Sequence, residues 1–183
     1  MIDNVGMHPG ASVEKEPAEK ALPDKLPHRK NTCAEFHDYS GGNYFVTICT
    51  RDKEQYFGRI LNGEMRHSVI GEVAYKALES LHTHYSYVEV PLFVVMPNHI
   101  HAIITIRESI DAPGCIPTVR TALGVIIGGY KQSVTRYARR NGIVFGWQIR
   151  YHDHIIRGAR DGNMISEYIK NNVVHWENDC FYK

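Results

Sequence analysis

The chain has 183 residues, 43% of them hydrophobic, which suits one globular domain with a core of ordinary size and leaves little room for a second. A formal net charge of +1 and an isoelectric point near 7.8 announce neither a nucleic-acid partner nor an acidic one, so any basic surface must be local. No apolar run approaches the roughly 20 residues of a membrane span, and the N-terminal stretch MIDNVGMHPGASVEKEPAEK lacks the apolar core of a signal peptide, so a cytoplasmic protein without membrane contact is expected.

Residues 1–27 are rich in Pro, Glu, Lys and Ala without sustained periodicity, and are expected to form a flexible tail ahead of a single domain at 28–183. NYFVTICT, 43–50, is β-branched and aromatic and follows SGG, so it reads as a strand entered from a turn. In GEVAYKALESLHTHY the apolar residues Val73, Ala77, Leu78 and Leu81 fall at helical spacing, predicting a helix over 71–85. The runs YVEVPLFVVM and HIHAIITI, separated by Pro97-Asn98, predict a tight antiparallel hairpin. Beyond a loop containing Pro113, Gly114 and Pro117, a stripe of Leu123, Ile126, Ile127, Tyr130, Val134 and Tyr137 predicts a second helix that ends at Asn141-Gly142 and is weakened by three glycines. WQIRYHDHIIR, 147–157, reads as a further strand, and 161–176 as a closing helix with Asp161 near its start as a cap. The order β, α, β, β, α, β, α predicts an α+β fold: a ferredoxin-like antiparallel sheet with helices packed on one side. The four cysteines, Cys33, Cys49, Cys115 and Cys180, lie far apart with no C-x-x-C pair, and are read as reduced thiols.

The stretch VVMPNHIHAIITI carries the most chemistry. Side chains alternate faces along a strand, so His99, His101, Ile103 and Thr105 share one side while Ile100, Ala102, Ile104 and Ile106 share the other. The second set is apolar and should pack on the helices, leaving two imidazoles side by side on the opposite surface, within reach of one metal ion. Spacing alone leaves this open: the chain has eleven histidines and two other H-x-H matches, His82/His84 and His152/His154. A metal pair and a pair of satisfied, partly buried histidines both remain readings at this point.

MPNHIHAIITI resembles the HUH signature (His, bulky hydrophobe, His) of the single-tyrosine transposases, including the REP-associated tyrosine transposases. HRKN, YFVTICTRDKEQYFG, GYKQSVTRYARR, GWQIRYHDHIIR and YIKNNVVHW are similar to segments of that family in their usual order, over roughly residues 28–176. One departure stands out. Where the family commonly reads Y-I-x-x-N-P, this chain has Tyr168-Ile169-Lys170-Asn171-Asn172-Val173. The resemblance implies an HUH endonuclease type of domain that cuts and rejoins single-stranded hairpin DNA through a 5′-phosphotyrosine intermediate. By the same token His99, His101 and Asn172 would be metal ligands, Tyr168 the nucleophile, and Mg²⁺ or Mn²⁺ the cofactor.

Physical chemistry is compatible with that set. Tyr168 and Asn172 are four apart and on a helix would face the same way. Met164, Ile165 and Trp176 lie on that stripe too, so Tyr168 also reads as a core tyrosine. The amide of Asn172 would be costly to bury there without a partner, which a hydrated metal could supply. Neutral imidazole and amide ligands leave a divalent cation its full charge for a phosphate, and activity should then fall on acidification near the ordinary imidazole pKa of about 6.5. Lys131, Arg136, Arg139 and Arg140 on the second helix, with Arg150 and Arg157 on the following strand, are candidate DNA contacts, against the alternative of a solvated face. Two rival functions stay in view: a nucleic-acid-binding ferredoxin-like module without catalysis, a domesticated transposase among them, and a phosphodiesterase using water. A homodimer sharing its tyrosines is compatible with the sequence, as is a monomer.

Overall fold

The computed structural model describes residues 42–107 and 122–182. Its main sheet holds β1 (Gly42–Cys49), β4 (Val88–Val95), β5 (His99–Ile106) and β6 (His152–Ile155) in the order β4-β5-β1-β6, with every pairing antiparallel. That is the strand order of a ferredoxin-like α+β fold, as the element order implies. A separate two-stranded sheet, β2 (Gly58–Leu61) with β3 (Glu64–His67), sits between β1 and the first helix in sequence. Asn62 and Gly63 turn the hairpin with φ of 52° and 75°, the left-handed pair that an Asn-Gly turn favours.

Helix α1 (Val69–Glu79) begins earlier than its apolar stripe suggested, because Ser68 caps it by accepting from the Gly71 N–H at 3.1 Å. It also ends earlier than 85. The Ser80 hydroxyl donates to the Lys76 carbonyl at 2.7 Å, and the chain restarts as the single turn α2 (Leu81–His84). Helix α3 (Ala122–Arg140) turns Leu123, Ile126, Ile127, Tyr130, Val134 and Ala138 inward. Of its glycines, Gly129 has a packing reason, since a Cβ there would lie 2.4 Å from the Tyr85 hydroxyl. The strand expected over 147–157 shrinks to His152–Ile155, with Trp147 making an isolated bridge to Thr50. Ahead of it the carbonyls of Gln148 and Arg150 turn toward the Lys131 amine instead of a strand partner. Helix α4 runs Gly158–Asn171, not 161–176. Asp161 is no N-cap but a reach-back partner, its carboxylate accepting from the Arg157 N–H and from His154, each at 2.9 Å.

The alternation of β5 sorts the two faces. Ile100, Ala102, Ile104 and Ile106, paired with Ile48, Val46, Tyr44 and Gly42 of β1, face α1 and α3 and form the core with Ala74, Leu78, Ile126 and Tyr130. Each such isoleucine contributes about 1.5–3 kcal/mol by leaving water. The Tyr130 hydroxyl donates to the Ala74 carbonyl at 3.0 Å and ties the two helices together. α4 lies against the other face, where Tyr168 meets His101 and Phe45, so the closing helix does not join α1 and α3. The tail at 1–27 and its boundary at 28 lie outside the described residues, as do Cys33 and Cys115. Cys49 and Cys180 are free thiols. No helix among the described residues is long and apolar enough to cross a membrane.

Candidate functional site

β1 and β5 pair so that Thr47 stands opposite His101 and Cys49 opposite His99, all on the face turned to α4. The imidazoles are not on an open surface as expected from alternation alone: His99 is 0% and His101 2% exposed. The segment after α4 covers them. Phe181 lies 4.5 Å from the His99 ring between centroids and Trp176 5.9 Å, while Phe45 stacks on His101 at 5.2 Å. Burial pushes both imidazoles down to about 3, opposed for His99 by the Asn172 amide and for His101 by the Asp179 carboxylate.

α4 brings its own residues onto the same spot. Asn172, still helical at φ −61° and ψ −39°, is 2% exposed and follows Tyr168 by one turn. The Tyr168 hydroxyl stands 3.2 Å from His101 Nε2 and 3.5 Å from Asp179 Oδ2, and the ring is 43% exposed beside a groove of about 570 Å³ that Met164, Glu167, Asn171 and His175 help to line. Burial, with the Asp179 charge next in weight, pushes the Tyr168 phenol up to about 12, so it stays protonated at neutral pH. Asn172 Nδ2 donates to Asp179 Oδ2 at 3.0 Å, and the Phe181 N–H donates to Asp179 Oδ1 at 2.7 Å.

Hydrogen-bond accounting leaves two buried side-chain atoms without a partner among the described residues, His99 Nε2 and Asn172 Oδ1. His99 belongs to a cluster in which ligand atoms of His99, His101 and Asp179 lie within 4.8 Å of one another, and Asn172 joins it through the bond from its Nδ2 to Asp179. Two imidazoles, an amide oxygen and a carboxylate form a mixed nitrogen and oxygen donor set that fits a divalent ion, and the carboxylate makes it more hospitable to Mg²⁺ or Mn²⁺ than imidazoles alone. Asp179 was missed in the sequence, where a lone carboxylate beyond the helix carries no periodic signal. Thr47, whose hydroxyl is 2.9 Å from His101 Nδ1, could have been found from the alternation of β1.

The other expected residues do not converge here. Arg136, Arg139 and Arg140 are exposed on α3, across the sheet from Tyr168, where Arg136 and Arg140 line a second groove with His84, Tyr85 and Tyr137. The Lys131 amine donates to the Gln148 and Arg150 carbonyls at 2.8 and 3.1 Å and lies over the Trp147 ring, and burial pushes it down to about 8. Arg150 and Arg157 are exposed just before and just after β6. Of the other H-x-H pairs, His82 and His84 are exposed on α2, and His154 pairs with Asp161.

The chain is 35% identical over 168 residues to an uncharacterized protein of Haemophilus influenzae, covering 85% of this chain and 93% of that protein. A solved structure of a REP-associated tyrosine transposase bound to a REP hairpin superposes with a TM-score of 0.54 at 21% identity, over 79% of this chain and 74% of that one, a likeness of fold. No family model matches.

Proposed function

Since the chain belongs to one family with that uncharacterized Haemophilus influenzae protein and shares its fold with a tyrosine transposase, we propose that it is a cytoplasmic, metal-dependent HUH single-tyrosine transposase that cuts and rejoins single-stranded hairpin DNA. The observation that carries this reading is the pair of buried unpartnered atoms, His99 Nε2 on β5 and Asn172 Oδ1 at the end of α4, the latter one helical turn from the half-exposed Tyr168. A buried acceptor left unpaired costs about 1–3 kcal/mol, and two that converge on one cluster are explained together by a shared cation.

In the reaction, the Tyr168 oxygen attacks a backbone phosphorus, the P–O bond to the 3′-oxygen breaks, and a 5′-phosphotyrosine ester forms while the released 3′-hydroxyl takes a proton from water. His99, His101, Asn172 and Asp179 would hold the Mg²⁺ or Mn²⁺ ion, which when bound supplies positive charge to polarise the scissile phosphate. The phenol must lose a proton as it attacks, and Asp179 Oδ2 at 3.5 Å is an acceptor within its reach. Attack by a returning 3′-hydroxyl reverses the ester and rejoins the strand without a high-energy cofactor. Arg150 and Arg157, exposed just before and just after β6, would contact the DNA backbone, whereas Lys131 is occupied by carbonyls. Arg136, Arg139 and Arg140 would meet DNA only where it passes around to α3.

Binding without cutting is the reading that the deep burial of His99 and His101 favours. Incubation with end-labelled hairpin DNA and Mn²⁺, followed by a denaturing gel, separates the two. A band of covalent protein–DNA adduct, mapped to the peptide that contains Tyr168, is the expected result. Hairpin binding with no adduct would establish the binding module, and cutting with no adduct a water-using phosphodiesterase.

A further inference from the structure

His99 Nε2 is buried without a hydrogen-bond partner in either tautomer, whereas Nδ1 has one. That partner decides which ring nitrogen carries the proton. His99 Nδ1 lies 2.9 Å from Asn98 Oδ1, in a buried contact between neighbouring residues. The orientation of the Asn98 amide is fixed independently of the histidine. Its Nδ2 donates to the Phe181 carbonyl at 2.8 Å and to the Lys53 carbonyl at 3.1 Å. A flipped amide would set its oxygen against those two carbonyl oxygens and lose both bonds. Asn98 Oδ1 therefore faces His99 as an acceptor, and Nδ1 must be the donor. The Lys53 carbonyl is presented by a backbone that is itself forced, with Asp52 and Lys53 at φ of 55° and 57°, the left-handed region that non-glycine residues seldom occupy.

We infer that Asn98 is a positioning residue: its anchored amide holds His99 in the Nδ1–H tautomer and so keeps Nε2 bare. The sequence shows Pro97-Asn98 only as a hairpin turn, yet the Asn98 side chain is 0% exposed, as a turn residue need not be. The inference deepens the proposal above, since a bare Nε2 is what a metal ion needs, but tautomer choice is a property of the metal-free protein and stands on its own measurement.

The test is long-range ¹⁵N–¹H correlation of the histidine rings in full-length, chelator-treated protein near pH 8, followed by calorimetric titration with Mn²⁺. Native His99 is expected to show a protonated Nδ1 and a bare Nε2. Asn98→Ala should move the proton to Nε2, and Mn²⁺ affinity should fall by about ten- to a hundredfold, the usual effect of losing such an orienting partner. Asn98→Asp retains an acceptor for Nδ1 and should keep the native tautomer, at a cost in stability because its second oxygen faces the Phe181 and Lys53 carbonyls. A native Nε2–H tautomer, or Asn98→Ala that retains both Nδ1–H and native Mn²⁺ affinity, would overturn the inference. If Asn98→Ala does not fold, the native spectrum still decides. Native protein with Nδ1–H that binds no Mn²⁺ would support Asn98 in this role and overturn the metal reading instead.

Discussion

On one face of the main sheet, Ile100, Ala102, Ile104 and Ile106 meet α1 and α3 in a core made almost wholly of apolar side chains; on the other, the interleaved residues His99 and His101 are buried as deeply beneath α4 and the segment after it. The same eight-residue strand supplies both. What differs is the accounting of polar atoms. Facing α1 and α3, the buried phenol of Tyr130 has its carbonyl partner. Facing α4 there are two imidazoles, an amide and a carboxylate, and the two unpartnered atoms are both there. A face of the first kind is explained by folding alone. The second carries a cost that folding does not require, and such a cost is commonly a sign of a site.

The largest expected effect breaks the comparison at Tyr168. Tyr168→Phe deletes one hydroxyl, so hairpin affinity and fold should persist while cleavage falls by about 10⁴-fold or more, as with other deletions of a nucleophile. Cleavage at native rate in a quantitative gel assay would remove Tyr168 from the chemistry.

Next come substitutions that should separate the faces by what they damage. Ile104→Ala opens a cavity against α1 and α3 and should cost about 2–5 kcal/mol in urea unfolding. His101→Ala should abolish cleavage and leave the chain folded, but remove the rise in melting temperature that Mn²⁺ gives the native protein, worth about 2.7 kcal/mol at a hundredfold excess over Kd. Equal stabilisation of native and His101→Ala protein by Mn²⁺ would place the ion elsewhere.

The pattern of the faces was legible because period-two alternation in HIHAIITI survives translation into any sheet. Helical spacing similarly placed Tyr168 and Asn172 on one stripe. Legibility stopped where the information is not periodic. The bend between α1 and α2 coincides with the Ser80 hydroxyl bonding back to the Lys76 carbonyl, the short β6 with carbonyls held by Lys131, and Asp179 arrives through a turn with no repeat to read. The β2–β3 hairpin carries its own local signal, the Asn62-Gly63 turn. Alternation gave the side on which the imidazoles lie but not their burial, which depends on where the chain goes after α4.

A smaller effect concerns pH, and it revises an acid limb near 6.5. In the folded, metal-free protein both imidazoles are pushed down to about 3 by burial, whereas in the unfolded chain they titrate near 6.5. Between these values the unfolded state binds more protons, so stability is full above about pH 6.5 and drains as the pH falls toward 3. Urea midpoints from pH 7 to pH 4 should therefore decline, and decline less steeply in His101→Ala. Cleavage should begin to fail well below 6.5. A limb still centred at 6.5 in protein that remains folded would show that the imidazoles are not held neutral by burial.

The smallest effect tests whether the α3 face takes part at all. Replacing Arg136, Arg139 and Arg140 together by Gln should lower hairpin affinity modestly and flatten the plot of log K against log salt by about 2, if three contacts to single-stranded phosphates are lost. An unchanged slope would confine DNA to the α4 face and leave these arginines as a solvated surface.

Ile169 is the only buried residue within the fourteen of α4, while α3 buries six in nineteen. A helix held by so little apolar contact separates from its sheet at a small fraction of the free energy that unfolds the whole domain. Amide protons of α4 should then exchange with solvent by local opening while those of α3 wait for global unfolding. The tyrosine thus rides on one of the least tightly held elements of the fold, and the histidines it faces are built into the most firmly paired strand.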